Sequence, residues 1–213
     1  MQNQNEQRWL DLLRLMGARD TQKIQGVYND LMARYAEPHR AYHTLNHIEH
    51  CLCELNQLTF NCSTIEVELA IWYHDAIYDT RNKDNEEKSA ALAAGAMKGL
   101  GLAGKHIDLV VELILATKHS ASPVFNQKAW LRTRLIADID LSIFGQSEKK
   151  FDEYERQIRK EYEWISEDDF VVGRSAILKS FLDRPKIYLT QILRTKYEVQ
   201  ARRNISRSID NRR

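Results

Sequence analysis

Cysteine is scarce in this chain, and the little there is does not pair. Cys51, Cys53 and Cys62 make an odd set without Cys-x-x-Cys spacing, which excludes a disulfide framework and a thiolate zinc site as organising features. Three prolines and eight glycines in 213 residues leave little to interrupt a helix. No apolar run approaches the ~20 residues of a membrane span, and Met1-Gln-Asn-Gln-Asn lacks the basic-then-apolar order of a signal peptide. The expectation is a cytoplasmic chain with no membrane partner. An excess of one charge is lacking too: 31 Lys and Arg against 30 Asp and Glu argue against a protein that coats nucleic acid or an anionic membrane. Only the last dozen residues, with Arg202, Arg203, Arg207, Arg212 and Arg213, are locally basic, and they read as a frayed, solvated tail.

What is present is helical periodicity, nearly everywhere. Trp9, Leu10, Leu13 and Met16 share a face before Gly17, and Ile24, Val27, Tyr28, Leu31 and Tyr35 share one before Pro38. Further stripes follow at Ile107 to Ile114, at Trp130 to Phe144 with a stop at Gly145, from Ser147, from Ser166, and around Ile192 to Tyr197. Residues 1–213 are therefore expected to form one all-α domain, a single compact multi-helix bundle. Ser63 with Glu66, and Asp84 with Glu87, have capping-box spacing and place two helix starts. Alanines from Ala90 to Ala96 predict a slim helix that approaches its neighbours closely.

Polar residues break three of the apolar faces. His47 lies at the edge of the stripe Ile48, Cys51, Leu52 and Leu55, with Thr44 as the expected N-cap and with His43 and His50 further toward solvent. His74 falls on the face of Val67, Ala70 and Ile71, and Asp75 follows it round the same turn. Asp140 has Ile136, Ala137, Ile143 and Phe144 as i±3 and i±4 neighbours, whereas Asp138 has Arg134 and Ser142 among its own, so Asp140 is expected to be the more deeply buried. A lone buried histidine is ordinarily a satisfied core residue, but buried polar groups need partners. His47, His74, Asp75 and Asp140 together supply a mixed nitrogen and oxygen set for one divalent transition metal: Mn, Fe, Co, Ni or Zn, with Mg as a further candidate.

These residues also resemble a known family. Tyr42-His43-x-x-x-His47, then His74-Asp75 at the end of an apolar helix, then Asp140-Leu141, resemble the H…HD…D signature of the HD-domain metal-dependent phosphohydrolases, over roughly residues 35–145. Trp-Tyr-His-Asp-Ala-Ile-Tyr-Asp, Ala-Thr-Lys-His and Asp-x-Asp-Leu-Ser-Ile-x-Gly are similar to a bacterial group of predicted metal-dependent HD-superfamily phosphohydrolases. The resemblance implies an HD-like core at 35–145 followed by C-terminal helices at 147–200 and the basic tail. It implies that His47, His74, Asp75 and Asp140 are metal ligands, with Asp138 a rival for the last place. It also implies hydrolysis of a phosphomonoester or phosphodiester in a small, nucleotide-like molecule. His43 matches the histidine that protonates the leaving oxygen in cyclic nucleotide phosphodiesterases. His119 is placed as a second-metal ligand, an acid, or a phosphate contact. Asp79, Glu86 and Glu87 are candidates to orient ligands or water, and Lys118, Arg159 and Arg174 to touch phosphate. Two alternatives stand beside this: a diiron oxygenase on the same scaffold, which needs His119 on a second iron, and a nucleotide-binding regulatory module without turnover. Whether the chain forms a homo-oligomer is left open.

Overall fold

The computed structural model describes residues 2–58, 64–119 and 130–212. Every regular element among them is helical, and the all-α expectation holds: α1 (Gln2–Leu15), α2 (Thr21–Tyr35), α3 (Leu45–Asn56), α4 (Ile65–Tyr73), α5 (Asn85–Gly99), α6 (Gly104–Ala116), α7 (Trp130–Asp140), α8 (Glu148–Glu161), α9 (Glu167–Leu182) and α10 (Gln191–Asp210). Cys62, Ser63 and Pro123, with the cap and stop expected at the last two, lie outside the described residues.

α4 is the centre. Every residue from Leu69 to Tyr73 is buried and apolar, so the C-terminal half of the helix has no solvent face, while Glu68 in the first half pairs with Arg8 at the surface. It packs on α3, α5, α6 and α7. Trp72 and Tyr73 meet the rings of Trp9 and Tyr28, with centroids 5.7–6.4 Å apart, which seats α1 and α2 against it. The Tyr35 hydroxyl donates to the Trp72 carbonyl at 2.9 Å, using an acceptor near the end of α4 where the helix no longer supplies a donor. Ala90 and Ala93 are buried on α5, and α5 and α6 lie in extensive contact, as the alanine run predicts.

Three local expectations are corrected. The Asp84–Glu87 box does not form: Asp84 pairs with Lys88 and Glu87 with Lys118, because both carboxylates find cations nearby. Thr44 and Thr64 occupy the N-cap positions of α3 and α4 without a side-chain cap bond, and Glu66 faces His106 Nδ1 at 2.8 Å. The helix expected over Trp130–Phe144 ends at Asp140 and tightens into a 3₁₀ turn, Leu141–Gly145. Side chains from the C-terminal part of the chain take its carbonyls: the Tyr188 hydroxyl donates to Leu141 at 2.9 Å and Asn204 Nδ2 to Phe144 at 2.8 Å.

The basic tail is the largest correction. α10 runs on through Asp210, with Ala201, Asn204, Ile205 and Ser208 buried, so a frayed terminus is excluded up to there. Its cations are used structurally. Arg202 pairs with Glu198 and donates to the Leu182 and Arg184 carbonyls, Arg207 pairs with Asp152, and Arg212 with Glu155.

Gly145 is where α10 crosses the 3₁₀ turn. A Cβ there would overlap the side chain of Tyr197, whereas one at Gly26, inside α2, would meet nothing. Gly145→Ala is expected to lower stability by about 1–3 kcal/mol through overpacking, and Gly26→Ala to raise it by roughly 0.5–1 kcal/mol through helix propensity. Thermal or urea unfolding of the two variants measures both; equal effects would remove the close-packing role.

Candidate metal centre

The ends of three helices converge on one point. His47 projects from the first turn of α3, His74 and Asp75 come from the end of α4, and Asp140 is the last residue of α7. His74 is the C-cap of α4, so the pair sits at the mouth of the core helix rather than inside it. Because the C-terminal half of α4 is buried on all sides, its end delivers two polar groups to a place with little water to solvate them.

One atom from each side chain meets there, all within 4.8 Å of one another. His74 Nε2 lies 3.0 Å from Asp75 Oδ2, 3.1 Å from His47 Nε2 and 3.5 Å from Asp140 Oδ1. His47 Nε2 lies 3.2 Å from Asp140 Oδ1 and 3.4 Å from Asp75 Oδ2. An ion ~2.1 Å from each donor would hold neighbouring donors ~3.0 Å apart at octahedral angles and ~3.4 Å apart at tetrahedral ones. The observed edges match those spacings, and the cluster can hold a metal ion.

Two further features favour ligation. His74 Nδ1 lies 2.9 Å from the Ile71 carbonyl, which can only accept, so Nδ1 carries the proton and Nε2 can present its lone pair to the centre. Both imidazoles are buried, His47 more so than its place at a stripe edge predicts, while the Asp75 and Asp140 side chains keep 17% and 19% of their surface. The centre is therefore closed on the histidine side and open on the carboxylate side.

Burial opposes charge on all four groups and is outweighed. The Asp75 carboxyl is held well below its ordinary range, chiefly by the charges of His74 and His43, and Asp140 by hydrogen bonds to His119, His47 and His74. His74 is raised well above its ordinary value by Asp75 and then Asp140, and His47 is raised by Cys51, Tyr42 and its bonds to the two carboxylates. The carboxylates thus favour protonation of the cluster, and a cation binding there competes with protons.

Asp138 does not join this cluster. It is the buried carboxylate of the two, 1% exposed, which reverses the expected ranking, and its oxygens accept from Leu189 N at 2.7 Å and from Thr190 N and Oγ1 at 2.6 Å. Burial pushes its carboxyl up to about 6 against those donors. Its i±3 and i±4 neighbours mislead because the partners that bury it come from residues 189–190, which caps the start of α10, far along the chain.

His43 and His119 flank the centre on a cavity of about 300 Å³ that Asp140 also lines. His43 Nδ1 lies 2.7 Å from Glu161 Oε2, and its ring stacks on Tyr78 with centroids 3.9 Å apart. Glu161 Oε1 accepts the backbone N–H groups of Ala41, Tyr42 and His43 at 2.8–2.9 Å. Burial works against the Glu161 carboxylate, but the charge and hydrogen bonds of His43 with these donors bring it down to about 2. His119 has a left-handed backbone, φ +49°, its carbonyl accepting from Arg184, and its Nε2 lies 2.7 Å from Asp140 Oδ2. It touches the ligand oxygen that faces away from the centre.

Two positioning residues carry no mark in the sequence. Glu161 lies 118 positions from His43 among several acidic residues of α8. Arg40 is buried beneath the loop and donates to the carbonyls of His43, Asp75 and Ala76 at 2.7–3.1 Å, tying the loop before α3 to the end of α4. The remaining candidates scatter. Glu86 lines the cavity, and Arg174 does too. Asp79 caps its own loop through Arg81 N and Asn82, Lys118 pairs with Glu87, and Arg159 pairs with Glu167. His50 faces Ser142 Oγ at 2.8 Å, and burial with the nearby His47 charge lowers it to about 4.

Compared with known families, with curated proteins and with solved structures, the chain matches none.

Asp140→Ala is expected to abolish metal uptake while the chain stays folded, whereas Asp138→Ala costs about 2–4 kcal/mol by leaving buried donors unpaired and retains the metal. Elemental analysis with melting curves separates the two, and the reverse pattern would restore Asp138 as the ligand. Because the histidine pKa values are raised, metal addition should release protons and apparent affinity should fall as pH is lowered through them. A pH-stat titration reads the release, and its absence from pH 6 to 8 would contradict the protonated centre.

Proposed function

We propose that this chain is a metal-dependent phosphohydrolase that cleaves a phosphomonoester or phosphodiester of a small, nucleotide-like molecule. The observation that carries the reading is the meeting of His47, His74, Asp75 and Asp140 at ligand spacing beside a cavity into which His43 faces. The donor set, two imidazoles and two carboxylates without thiolate, suits Mn²⁺, Fe²⁺, Co²⁺, Ni²⁺ or Zn²⁺, and Mg²⁺ less well. Such an ion, when bound, lowers the pKa of a coordinated water from about 16 toward about 7 and polarises a phosphoryl oxygen.

The chain's own residues supply the rest. Glu161 holds His43 by Nδ1, which leaves Nε2 as the end that can give a proton to the departing alkoxide as its bond to phosphorus breaks. The Tyr78 ring and Arg40 fix where that imidazole stands. His119, bonded to Asp140 Oδ2, keeps the other oxygen of that carboxylate turned to the centre. Asp75 serves as a ligand and keeps part of its side chain exposed. The H…HD…D resemblance supports the same chemistry and assigns the same residues.

The test is metal analysis of the purified protein, then phosphate release from a panel of nucleotides and phosphoesters with each candidate ion added. Asp75→Ala is expected to lose metal and activity together, and unchanged turnover in that variant would sink the reading. His43→Ala is expected to slow alkyl esters by roughly 10²–10⁴-fold and p-nitrophenyl phosphate far less, because a good leaving group needs no proton. Equal losses on both substrates would remove His43 as the acid.

A further inference from the structure

The cavity beside the metal centre holds one guanidinium that the reaction above does not use. Among the described residues Arg174, on α9, is the only lysine or arginine in its wall. Its side chain is 9% exposed; Nη2 donates to Tyr154 Oη and Glu155 Oε1, each at 2.6 Å, and Nε has no partner. Glu155 is shared: its other oxygen pairs with Arg212 and accepts from the Ser208 hydroxyl at 3.3 Å. Because Glu155 is divided between two guanidinium groups, it neutralises the buried Arg174 cation only in part. An uncompensated buried charge is unfavourable, and an anion entering the cavity relieves it.

Of the other titratable groups on the wall, His43 is held by Glu161, His119 and Asp140 bond each other at the metal centre, Glu86 is acidic, and the rest are the tyrosines Tyr42, Tyr78, Tyr154 and Tyr162. Arg174 stands apart from that centre by two aromatic rings. Its Cζ lies 5.1 Å from the Tyr154 ring centroid, Tyr154 meets Tyr42 edge-on at 4.5 Å, and Tyr42 lies 4.8 Å from His47. The hydrogen bonds of Arg174 go to Tyr154 and Glu155 and to none of the four clustered side chains, so it is not tied to an anion held at His47 and Asp140.

We infer that Arg174 binds a second anionic group of the substrate, a carboxylate or another phosphate, joined to the scissile phosphate by a spacer lying along the aromatic wall. The inference rests on the phosphohydrolase reading for the first phosphate. A cavity of about 300 Å³ is small for a ligand site, so the spacer is short.

The test uses ω-carboxyalkyl phosphates of increasing length against the matching alkyl phosphates, with the Mn²⁺-loaded protein. At one chain length the carboxylate is expected to lower KM about tenfold, the scale of one charge-assisted hydrogen bond. Arg174→Met should erase that preference and Arg174→Lys should keep part of it, with circular dichroism reporting whether each variant folds. Equal KM values at every length in the unmodified chain overturn the inference without any variant, and so does a preference that survives in folded Arg174→Met. If no compound releases phosphate, the hydrolase reading falls, and calorimetric affinity for the same pairs then decides whether Arg174 takes the second anion.

Discussion

Two carboxylates and two imidazoles compressed to within hydrogen-bond distance at the buried end of α4 set the terms for everything around them. Neither imidazole can be moved to water without withdrawing α3 or α4 from the core, while the two carboxylates keep one open side. Burial disfavours each charge alone, and the group is tolerable only when positive and negative charge meet at one point. Protons achieve that in part, and a divalent ion held by the four groups would achieve it more completely.

The surrounding structure serves to stop the cluster from relaxing. Arg40 fastens the loop carrying His43 to the backbone just after His74, and Glu161 collects three backbone N–H groups and one imidazole from that loop. A carboxylate with four donors is held strongly in its ionised form. Its folded pKa is depressed from an ordinary value near 4.5 to about 2, so its contribution is fully present above the unfolded value and is lost as pH falls toward 2. The His43 imidazole, which faces the cavity, thus stands on a support that stays charged at neutral pH.

How far the sequence could be read depended on the range of each interaction. Period and scarcity of helix breakers are local, and they located ten helices' worth of stripes and an all-α architecture. Polar residues interrupting those stripes are also local, and they named His47, His74, Asp75 and Asp140. What was illegible came from distant partners. Asp138 looked more solvated than Asp140 because its own helix offers it Arg134 and Ser142, while the groups that bury it are Leu189 and Thr190, about fifty positions away. Glu161 and Arg40 do their work through backbone atoms of other segments, and no side-chain pattern records a backbone acceptor. The tail is illegible for the same reason, since Arg207 and Arg212 find Asp152 and Glu155 more than fifty positions away.

Those late contacts tie the C-terminal helix to the site from two directions. Asp138, two residues before Asp140, holds Leu189 and Thr190 at the entry to α10, so the end of α7 and the start of α10 are tied together. The 3₁₀ turn that follows is pinned by Tyr188 and Asn204 and allows no side chain at Gly145. At its other end α10 reaches Glu155 through Ser208 and Arg212, and Glu155 holds Arg174 at the cavity wall. The C-terminal helix and the residues that flank it therefore bond both to the carboxylate two positions before Asp140 and to the carboxylate that pairs with Arg174, which is why a terminus that reads as dispensable in sequence is built into the walls of the cavity.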